Sequence, residues 1–429
     1  MSKKTKKHLS GDGLFKNVSD CFHKYDNTDL KAISTHDVLM SSLAVFSMKY
    51  PSLLQFDKDR FINANIKNLF HCTQVPSDTY MRERLDEFNY KQINVAFKSI
   101  LSEVQRGKKL EQYKFLNNYY LISLDGTGYF SSKNVHCENC CEKKHRDGST
   151  SYYHQMLSGV FVHPDVKQVL PLAPEPITKQ DGAAKNDCER NAAKRFITQL
   201  KNDHPKLPLM IVEDGLASNA PHIKYLQQHD IRYILGAKES DHKWLFEIVN
   251  NSDLHKKIVT HGKKISKLRY INSVELNYSN PDVLVNFLEC TELSPKGRKM
   301  RFCWVTDIVI TDDNVFELMR GARARWKIEN ETFNTLKNQG YHFEHNFGHG
   351  NNNLSNVFAH MMLLAFLIDQ VQELCCPVFQ KAITFHLRKK YLWEGVKSTF
   401  KLLNISTWED FYRIVSFDIK LQITYDNSA

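Results

Sequence analysis

The stretch NYYLISLDGTGYF, residues 118–130, is an apolar run that ends in Asp125-Gly126-Thr127-Gly128. Its Tyr, Leu and Ile residues are typical of a buried β-strand. An aspartate at the carboxyl end of a central strand stands where α/β sheets place their ligands. An Asp-Gly pair on its own is more often a turn. The stretch predicts a central strand and supplies a first candidate functional residue.

Upstream of this strand the sequence has helical periodicity. Apolar residues recur at three- and four-residue steps over residues 13–115, and Ser77 or Asp78 is a plausible helix N-cap after Pro76. This pattern predicts a helical DNA-binding domain over 13–115, although helical packing alone does not specify that role. Residues 1–12 form a short basic tail that is expected to be disordered.

Downstream, strands and helices alternate up to residue 251. The strand within LPLMIVEDGLA ends, like the first, in an acid followed by glycine, Asp214-Gly215. Three consecutive strands followed by alternating helices and strands predict a mixed sheet flanked by helices. In such a sheet the first and fourth strands lie side by side, so Asp125 and Asp214 are expected to meet at their ends.

The remaining segments complete an α/β fold. The catalytic core is expected to begin over residues 116–251 and to resume over 304–370 with a strand and long helices. Short alternating segments and turns predict a β-rich insertion over 252–303, before the last core helix. Residues 371–429 are predicted to form a helical C-terminal region.

The predicted helix over residues 314–341 carries a third acid. At 100° per residue, Glu329 falls inside an apolar stripe with Trp326, whereas Glu331 points to the opposite side. A buried carboxylate needs a cation, and Arg325 lies one turn earlier. An internal Arg325–Glu329 ion pair and a metal-ligating Glu329 are both open interpretations. The other members of the stripe are Leu318, Ala322, Phe333 and Leu336.

Asp125, Asp214 and Glu329 would repel one another strongly in a partly buried site, and divalent cations relieve such repulsion. Mg²⁺ and Mn²⁺ prefer oxygen ligands and keep water or phosphate oxygens in their other positions. A pair of these ions activates water or a 3′-hydroxyl for attack on a phosphodiester. The three acids are therefore expected to bind two Mg²⁺ or Mn²⁺ ions.

These segments resemble the DDE transposases of bacterial insertion sequences, in the RNase H-like superfamily. LISLDGTGYF is similar to the first-Asp strand, and LMIVEDGLASNAPHIKYL to the second-Asp strand and its helix. RARWKIENETFNTLK is similar to the helix of a group with a Tyr-Arg-Glu-Lys signature. Ala322 stands at the tyrosine position and Leu336 at the lysine position, with Lys337 one residue later. The resemblance covers about residues 118–370 and implies an RNase H-like core.

The resemblance implies a transposase that cuts and joins DNA at insertion-sequence ends by two-metal-ion phosphoryl transfer. Asp125, Asp214 and Glu329 would bind the metal ions, and Arg325 and Lys337 would contact phosphates. The implied partners are double-stranded DNA, both terminal inverted repeats and target DNA, and a second copy of the chain in a homodimer. A metal-dependent nuclease without strand transfer and a catalytically inert DNA-binding protein are the alternatives.

Two aromatic residues, Phe302 and Trp304, lie in the last strand of the insertion. By resemblance, an aromatic in this region stacks on a flipped base in relatives that cut through a DNA hairpin. Stacking of an extruded base on an aromatic side chain is physically sound. Packing in the core is the alternative role for both residues.

A Cys/His-rich loop separates the first two strands. Cys137 and Cys140 have Cys-x-x-Cys spacing, Cys141 and His145 follow, and His136 is an alternative to Cys141. These are zinc-ligand types, so a structural Zn²⁺ site and unliganded reduced cysteines are competing interpretations. Three further histidines are expected to lie in a hydrogen-bonded turn, with phosphate contact as the alternative: His342, His345 and His349.

The composition is that of an ordinary globular protein. The 429 residues are 42% hydrophobic and 25% charged, and the net charge of +10 fits a polyanionic partner. No uninterrupted apolar run reaches the length of a membrane span, and the N-terminus lacks the hydrophobic segment of a secretory signal. Reduced cysteines in a cytoplasm and no membrane contact are therefore expected. The resemblance to transposases of bacterial insertion sequences implies a bacterial, nucleoid-associated protein.

Overall fold

The computed structural model describes residues 6–26, 33–60, 64–116, 118–179, 188–262, 264–293 and 297–419. Within these residues the fold is mixed α/β, and twelve strands form one mixed sheet that is flanked by helices. The predicted α/β class with a mixed sheet is confirmed.

Before the sheet, the described residues form six α-helices, several of which begin at a serine. The side chain of Ser77, for example, accepts a hydrogen bond from the N–H of Tyr80, as a helix N-cap does. Residues 1–5 of the expected tail lie outside the described residues, but Leu9 is buried and the first helix begins at Gly11. The helices are α1 (Gly11–Phe22), α2 (Thr35–Ser47), α3 (Leu53–Asp59), α4 (Ala64–Phe70), α5 (Asp78–Glu87) and α6 (Asn94–Arg106).

The strand that carries Asp125 lies between two partner strands in the sheet. This strand pairs antiparallel with the hairpin strand that follows it and parallel with the strand that ends at Glu213, so the predicted adjacency is confirmed. The elements of this part are β1 (Lys114–Phe115), β2 (Tyr119–Ser132), β3 (Cys141–Lys144), β4 (Thr150–His163), β5 (Val166–Pro171), β6 (Glu175–Ile177), α7 (Glu189–Asp203), β7 (Leu209–Glu213), α8 (Ala220–Gln228), β8 (Arg232–Gly236) and α9 (Lys243–Asn251).

The β-rich segment extends this sheet instead of forming a separate layer. Its strands are β9 (His255–His261), β10 (Lys264–Glu275), β11 (Leu284–Leu293) and β12 (Lys299–Thr306). They form an antiparallel meander, and β12 pairs with β8 through Trp304 opposite Gly236. The main path of the sheet is β3-β4-β2-β7-β8-β12-β11-β10-β9.

The C-terminal helices complete the core. They are α10 (Val315–Ala324), a π-helical segment (Ile328–Phe333), α11 (Asn334–Asn338), α12 (Leu354–Cys375), α13 (Pro377–His386), α14 (Lys389–Leu402) and α15 (Trp408–Val415). Helix α12 is long and apolar enough to cross a membrane, but 94% of its most apolar window is buried inside the protein. It packs against α2, α5 and β5, so the N-terminal helices and the sheet share one continuous hydrophobic core.

A buried ion pair holds these parts together. Lys49, directly after α2, donates to a carboxylate oxygen of Asp369 in α12 at 2.6 Å. The hydroxyl of Tyr341 donates to the same carboxylate, and the Lys49 ammonium lies 4.2 Å from the ring centroid of Tyr341. Because a buried charge is costly unless it is paired, this contact fixes the segment after α11 against the N-terminal helices.

Candidate active site

The expectation that Asp125 ends its strand is wrong, because β2 continues to Ser132 through its antiparallel pairing with β4. Asp214 does follow the end of β7 directly, and the two aspartates lie level with each other. In the parallel pairing of β2 with β7, Ser123 is opposite Val212, and continuing this register by two residues places Asp125 level with Asp214. Neighbouring strands are about 4.8 Å apart. The Ser123 hydroxyl donates to the backbone carbonyl of Arg325 at 3.0 Å. Because Asp125 is two residues further along the strand, its side chain faces the same helix.

Local backbone contacts orient both carboxylates. One oxygen of Asp125 accepts the N–H of Gly126, and one oxygen of Asp214 accepts the N–H of Leu216, both at 2.9 Å. A Cβ atom at Gly126 would lie 2.2 Å from a carboxylate oxygen of Glu189, the first residue of α7. Glycine therefore makes room here for a fourth acid, Glu189, which the sequence analysis did not identify.

The helix that carries Glu329 is not a regular α-helix. Helix α10 ends at Ala324, a turn follows at Arg325 and Trp326, and the π-helical segment then begins at Ile328. The regular α-helix is therefore interrupted from Arg325 onward, and 100° per residue does not describe the positions of Trp326 and Glu329. The expectation of a buried stripe around Glu329 is wrong: the Glu329 side chain is 50% exposed and Trp326 is 39% exposed. The remaining stripe residues are buried: Leu318, Ala322, Phe333 and Leu336.

Arg325 links two of the acids. Its guanidinium lies 2.8 Å from a Glu329 oxygen and 3.6 Å from an Asp125 oxygen. Burial raises the pKa of Asp125 to about 6; Arg325 opposes this shift, while Glu329 and Glu189 add to it. Burial also raises the pKa of Glu189, and the charge of Asp214 adds to that effect. We call Asp125, Asp214, Glu189 and Glu329 the acid cluster.

Glu331 lies away from the acid cluster although it is only two residues from Glu329. Burial lowers the pKa of Lys327, and the charges of Glu331 and Asp165 oppose that shift. The Lys327 ammonium donates to the backbone carbonyl of Val166. Glu329, and not Glu331, is the acid that the structure brings together with Asp125.

The residues expected to contact DNA are in different surroundings. Arg325 lies at the acid cluster, whereas Lys337 is exposed on α11. Trp304 is buried, with its ring stacked on Phe302 at a centroid distance of 6.0 Å, which favours the core-packing alternative for Trp304. Phe302 is half-buried and contacts the exposed ring of Trp326 at 5.6 Å.

A second cluster of ionisable side chains lies further along β2 and β4. Cys137 and Cys140 come from the segment before β3, His154 from β4, and His349 from the segment between α11 and α12. The two sulfur atoms are 3.9 Å apart, and the Nε2 atom of His154 lies 3.4 Å and 3.5 Å from them. The Nε2 atom of His349 lies 3.4 Å from the Cys140 sulfur. We call these four residues the Cys–His cluster.

The composition of the Cys–His cluster corrects the proposed zinc ligands. Cys141 is buried and its thiol donates to a backbone carbonyl at 3.4 Å, outside the cluster. His145 is hydrogen-bonded to the Ser151 hydroxyl instead. His154 and His349 occupy the places assigned to Cys141 and His145, because strand pairing and the return of a distant segment bring them beside the Cys-x-x-Cys pair.

Comparisons with known proteins give little further information. No protein-family model matches the chain, and no curated protein matches it. Among solved structures, the chain is similar to a piggyBac transposase in a synaptic complex with hairpin DNA, with a TM-score of 0.42 and 9% sequence identity. That match covers 99% of this chain and 86% of the other. A similarity at this level does not establish a shared fold, so function has to be argued from the site.

Proposed function

We propose that this protein is a DDE-type transposase with an RNase H-like core, which cuts and joins DNA at the ends of a mobile element. The observation that carries the proposal is the convergence of acids from distant segments. Asp125 and Asp214 are level on adjacent parallel strands, and the Arg325–Glu329 pair lies against Asp125. The antiparallel β2–β4 hairpin beside the parallel strands β7 and β8 agrees with the core that the family resemblance implies.

The donor set fits Mg²⁺ or Mn²⁺. All the side chains of the acid cluster offer carboxylate oxygens, the ligand type that these ions prefer. The guanidinium of Arg325 spans Asp125 and Glu329, which supports a cation site between them. Asp125, Asp214 and Glu329 would hold the ions, with Glu189 close by. When bound, two such ions activate the attacking hydroxyl and stabilise the leaving oxygen of a phosphodiester.

The residues of the chain have distinct roles in this proposal. Hydrogen bonds from the backbone hold the carboxylates of Asp125 and Asp214 in place. Glu329 is half exposed on the π-helical segment and has room to turn toward bound DNA. The Arg325 guanidinium, which pairs with Asp125 and Glu329 here, would be free to contact phosphate oxygens if cations took its place at these acids, and its planar donor pattern suits that contact.

The proposed substrate is double-stranded DNA, as terminal inverted repeats and as target. A net charge of +10 favours binding to phosphates. Next to the π-helical segment, Trp326 and Phe302 form an aromatic surface, with the Arg323 guanidinium 4.7 Å from the Phe302 ring. This surface has the aromatic and cationic groups that bind unstacked bases. Because joining requires two ends, a homodimer on DNA is part of the proposal.

A plasmid assay tests this function. The substrate is a supercoiled plasmid that carries the gene with the genomic DNA on both sides of it, incubated with the full chain and Mg²⁺ or Mn²⁺. We expect cleavage at the element ends and joining to a second plasmid. The variants Asp125→Asn, Asp214→Asn and Glu329→Gln should lose both steps and retain DNA binding in a gel-shift assay. Glu331→Gln, on the same helical segment, is the matched control and should remain active.

Each other outcome overturns a defined part of the proposal. Cleavage without joined products would favour the nuclease alternative. DNA binding without metal-dependent cleavage by the wild-type chain would favour the inert DNA-binding alternative. Activity in Glu329→Gln together with inactivity in Glu331→Gln would refute the assignment of the third acid.

A further inference from the structure

The four side chains of the Cys–His cluster have the arrangement of a metal site. Each contributes one soft or borderline ligand atom, and these atoms all lie within 4.8 Å of one another. Among the described residues, the Nε2 atoms of His154 and His349 contact the thiols. The Nδ1 atoms of the same two rings are buried and have no hydrogen-bond partner among the described residues. The convergence needs an explanation other than ordinary hydrogen bonding.

Four of the six distances between the ligand atoms match a tetrahedron around zinc, and the other two are no longer than 4.8 Å. Zinc binds sulfur at about 2.3 Å and nitrogen at about 2.0–2.1 Å, which places two sulfur atoms about 3.8 Å apart and a sulfur and a nitrogen about 3.5 Å apart. The corresponding distances here are 3.9 Å for Cys137 to Cys140, 3.4 and 3.5 Å to His154, and 3.4 Å for Cys140 to His349. Two thiolates and two imidazoles are a common ligand set of structural zinc.

We propose that Cys137, Cys140, His154 and His349 bind one structural zinc ion. Four protein ligands fill a tetrahedral site and leave no position for water or substrate, which distinguishes a structural from a catalytic zinc. The proposal does not depend on the transposase function, because it rests on the Cys–His cluster alone. Failure of one proposal would therefore leave the other untouched.

The proposed zinc would fasten the segment that leads out of the active-site helix. His349 lies in the segment between α11 and α12, while the other three ligands belong to the β2–β4 region. Two further contacts hold the same segment. The side chain of Asn139 donates to the carbonyl of Asn352 at 2.8 Å, and the carboxylate of Asp86 accepts the N–H groups of residues 351–354 at 2.9–3.0 Å. Zinc would thus connect the hairpin of Asp125 to the end of the Glu329 helix.

Metal analysis of the full chain tests the site. Protein purified with zinc present is freed of loosely bound metal by gel filtration, and zinc is measured by mass spectrometry. We expect about one zinc per chain, and a loss of nearly all of it in Cys140→Ser and His349→Ala. The matched controls are His145→Ala, from the set that the sequence suggested, and Cys188→Ser, an exposed thiol outside the cluster. Both should retain the metal.

Cobalt substitution supplies a readout that does not depend on how well a variant folds. Wild-type chain reconstituted with Co²⁺ should show the visible absorption of a tetrahedral site with thiolate ligands, and one equivalent of Zn²⁺ should abolish it. Absence of bound zinc, or zinc retained by His349→Ala and lost from His145→Ala, would overturn the proposal. A Cys137–Cys140 disulfide in the freshly purified, metal-free chain would also overturn it.

Discussion

The acid cluster and the Cys–His cluster lie on the same hairpin, roughly 15 Å apart along β2 at the rise of a β-strand. Asp125 is opposite Ser158 in the pairing of β2 with β4, and Phe130 is opposite His154. The acid cluster uses only carboxylates, and its side chains are partly open to solvent. The Cys–His cluster uses sulfur and nitrogen, and its four ligand atoms surround one point.

These differences in ligand type and exposure suit the acid cluster to exchange its ligands, and suit the Cys–His cluster to hold one ion permanently. Carboxylates that outnumber their cationic partner, as Asp125, Glu329 and Glu189 outnumber Arg325, leave negative charge and open positions for cations, water and phosphate. Four converging thiol and imidazole ligands would be satisfied by a single ion, as proposed above, and would exclude other groups from it. The chemistry of the ligands and their exposure therefore predict opposite responses to the same kind of substitution.

The largest expected effect is the reciprocal behaviour of one variant from each cluster. Asp125→Asn should lower the DNA cleavage rate by at least about 100-fold, because even residues that only support metal ligands contribute about 10–100-fold. It should leave zinc content nearly unchanged. His349→Ala should lose zinc and at least about 2 kcal/mol of stability, while a smaller loss of cleavage accompanies it. If both variants lost zinc and activity together, the clusters would not be separate sites.

A smaller effect is expected at Arg325, which is the cationic partner of two acids. Arg325→Gln should lower the cleavage rate by about tenfold, since a charge-assisted contact to phosphate is lost. Arg325→Lys should restore part of the rate because it keeps the charge. The matched control is Arg320→Gln, on α10, whose partners are Glu317 and Asp165. Equal losses in the two glutamine variants, measured as cleavage rates over a range of Mg²⁺ concentrations, would contradict a specific role for Arg325.

The next effect is a pH dependence of metal binding. Because the pKa of Asp125 is raised to about 6, a proton competes with a cation at this carboxylate below that pH. Mn²⁺ affinity, measured by calorimetry, should fall by up to about tenfold for each pH unit below 6 and level off above it. Asp125→Asn should abolish this step.

The same pKa shift has the opposite consequence for stability. The folded, metal-free protein holds a proton on Asp125 that the unfolded chain, with a pKa of 3.8, has already lost. Stability of the metal-free protein should therefore fall as the pH rises from about 4 through 6, and Mn²⁺ should restore it above 6. The stability of the wild type is compared with that of Asp125→Asn over this pH range. If the wild type became relatively more stable as the pH rises, the pKa of Asp125 would not be raised in the folded protein.

The smallest expected effect is at His145, which the sequence suggested as a zinc ligand. Among the described residues, the His145 ring has one hydrogen-bond partner, the Ser151 hydroxyl. His145→Ala should change the free energy of unfolding by no more than about 0.5 kcal/mol, as for most surface substitutions, with zinc content unchanged. Chemical denaturation measures the former. If His145→Ala lost as much stability and zinc as His349→Ala, His145 would have to be counted among the zinc ligands.

Strand-level features of the acid cluster were predictable from the sequence because they follow from local patterns. The apolar runs before Asp125 and Asp214 predict both strands, although β2 continues beyond Asp125 to Ser132, and the order of elements predicts their adjacency. The contact between Arg325 and Glu329 follows from their four-residue spacing. The short distance from Arg325 to Asp125 requires, in addition, that this helix pack across the sheet.

Other features depended on interactions that a local pattern does not contain. Uniform helical periodicity could not reveal the turn at Arg325 and Trp326 or the π-helical segment after it, so it wrongly buried Trp326 and Glu329. His154 and His349 were missed because they join the Cys-x-x-Cys pair only through tertiary structure. The pairing of β12 with β8, which makes the insertion part of the sheet, is likewise a contact between segments far apart in sequence.

The most direct test of the central claim is the position of Mn²⁺ in crystals of the full chain, located by its anomalous scattering. The account predicts Mn²⁺ bound by Asp125, Asp214 and Glu329, with the Arg325 guanidinium moved away from both Asp125 and Glu329. Crystals grown in saturating Mn²⁺ that have no anomalous signal at these three carboxylates, and still have Arg325 paired with Glu329, would contradict it.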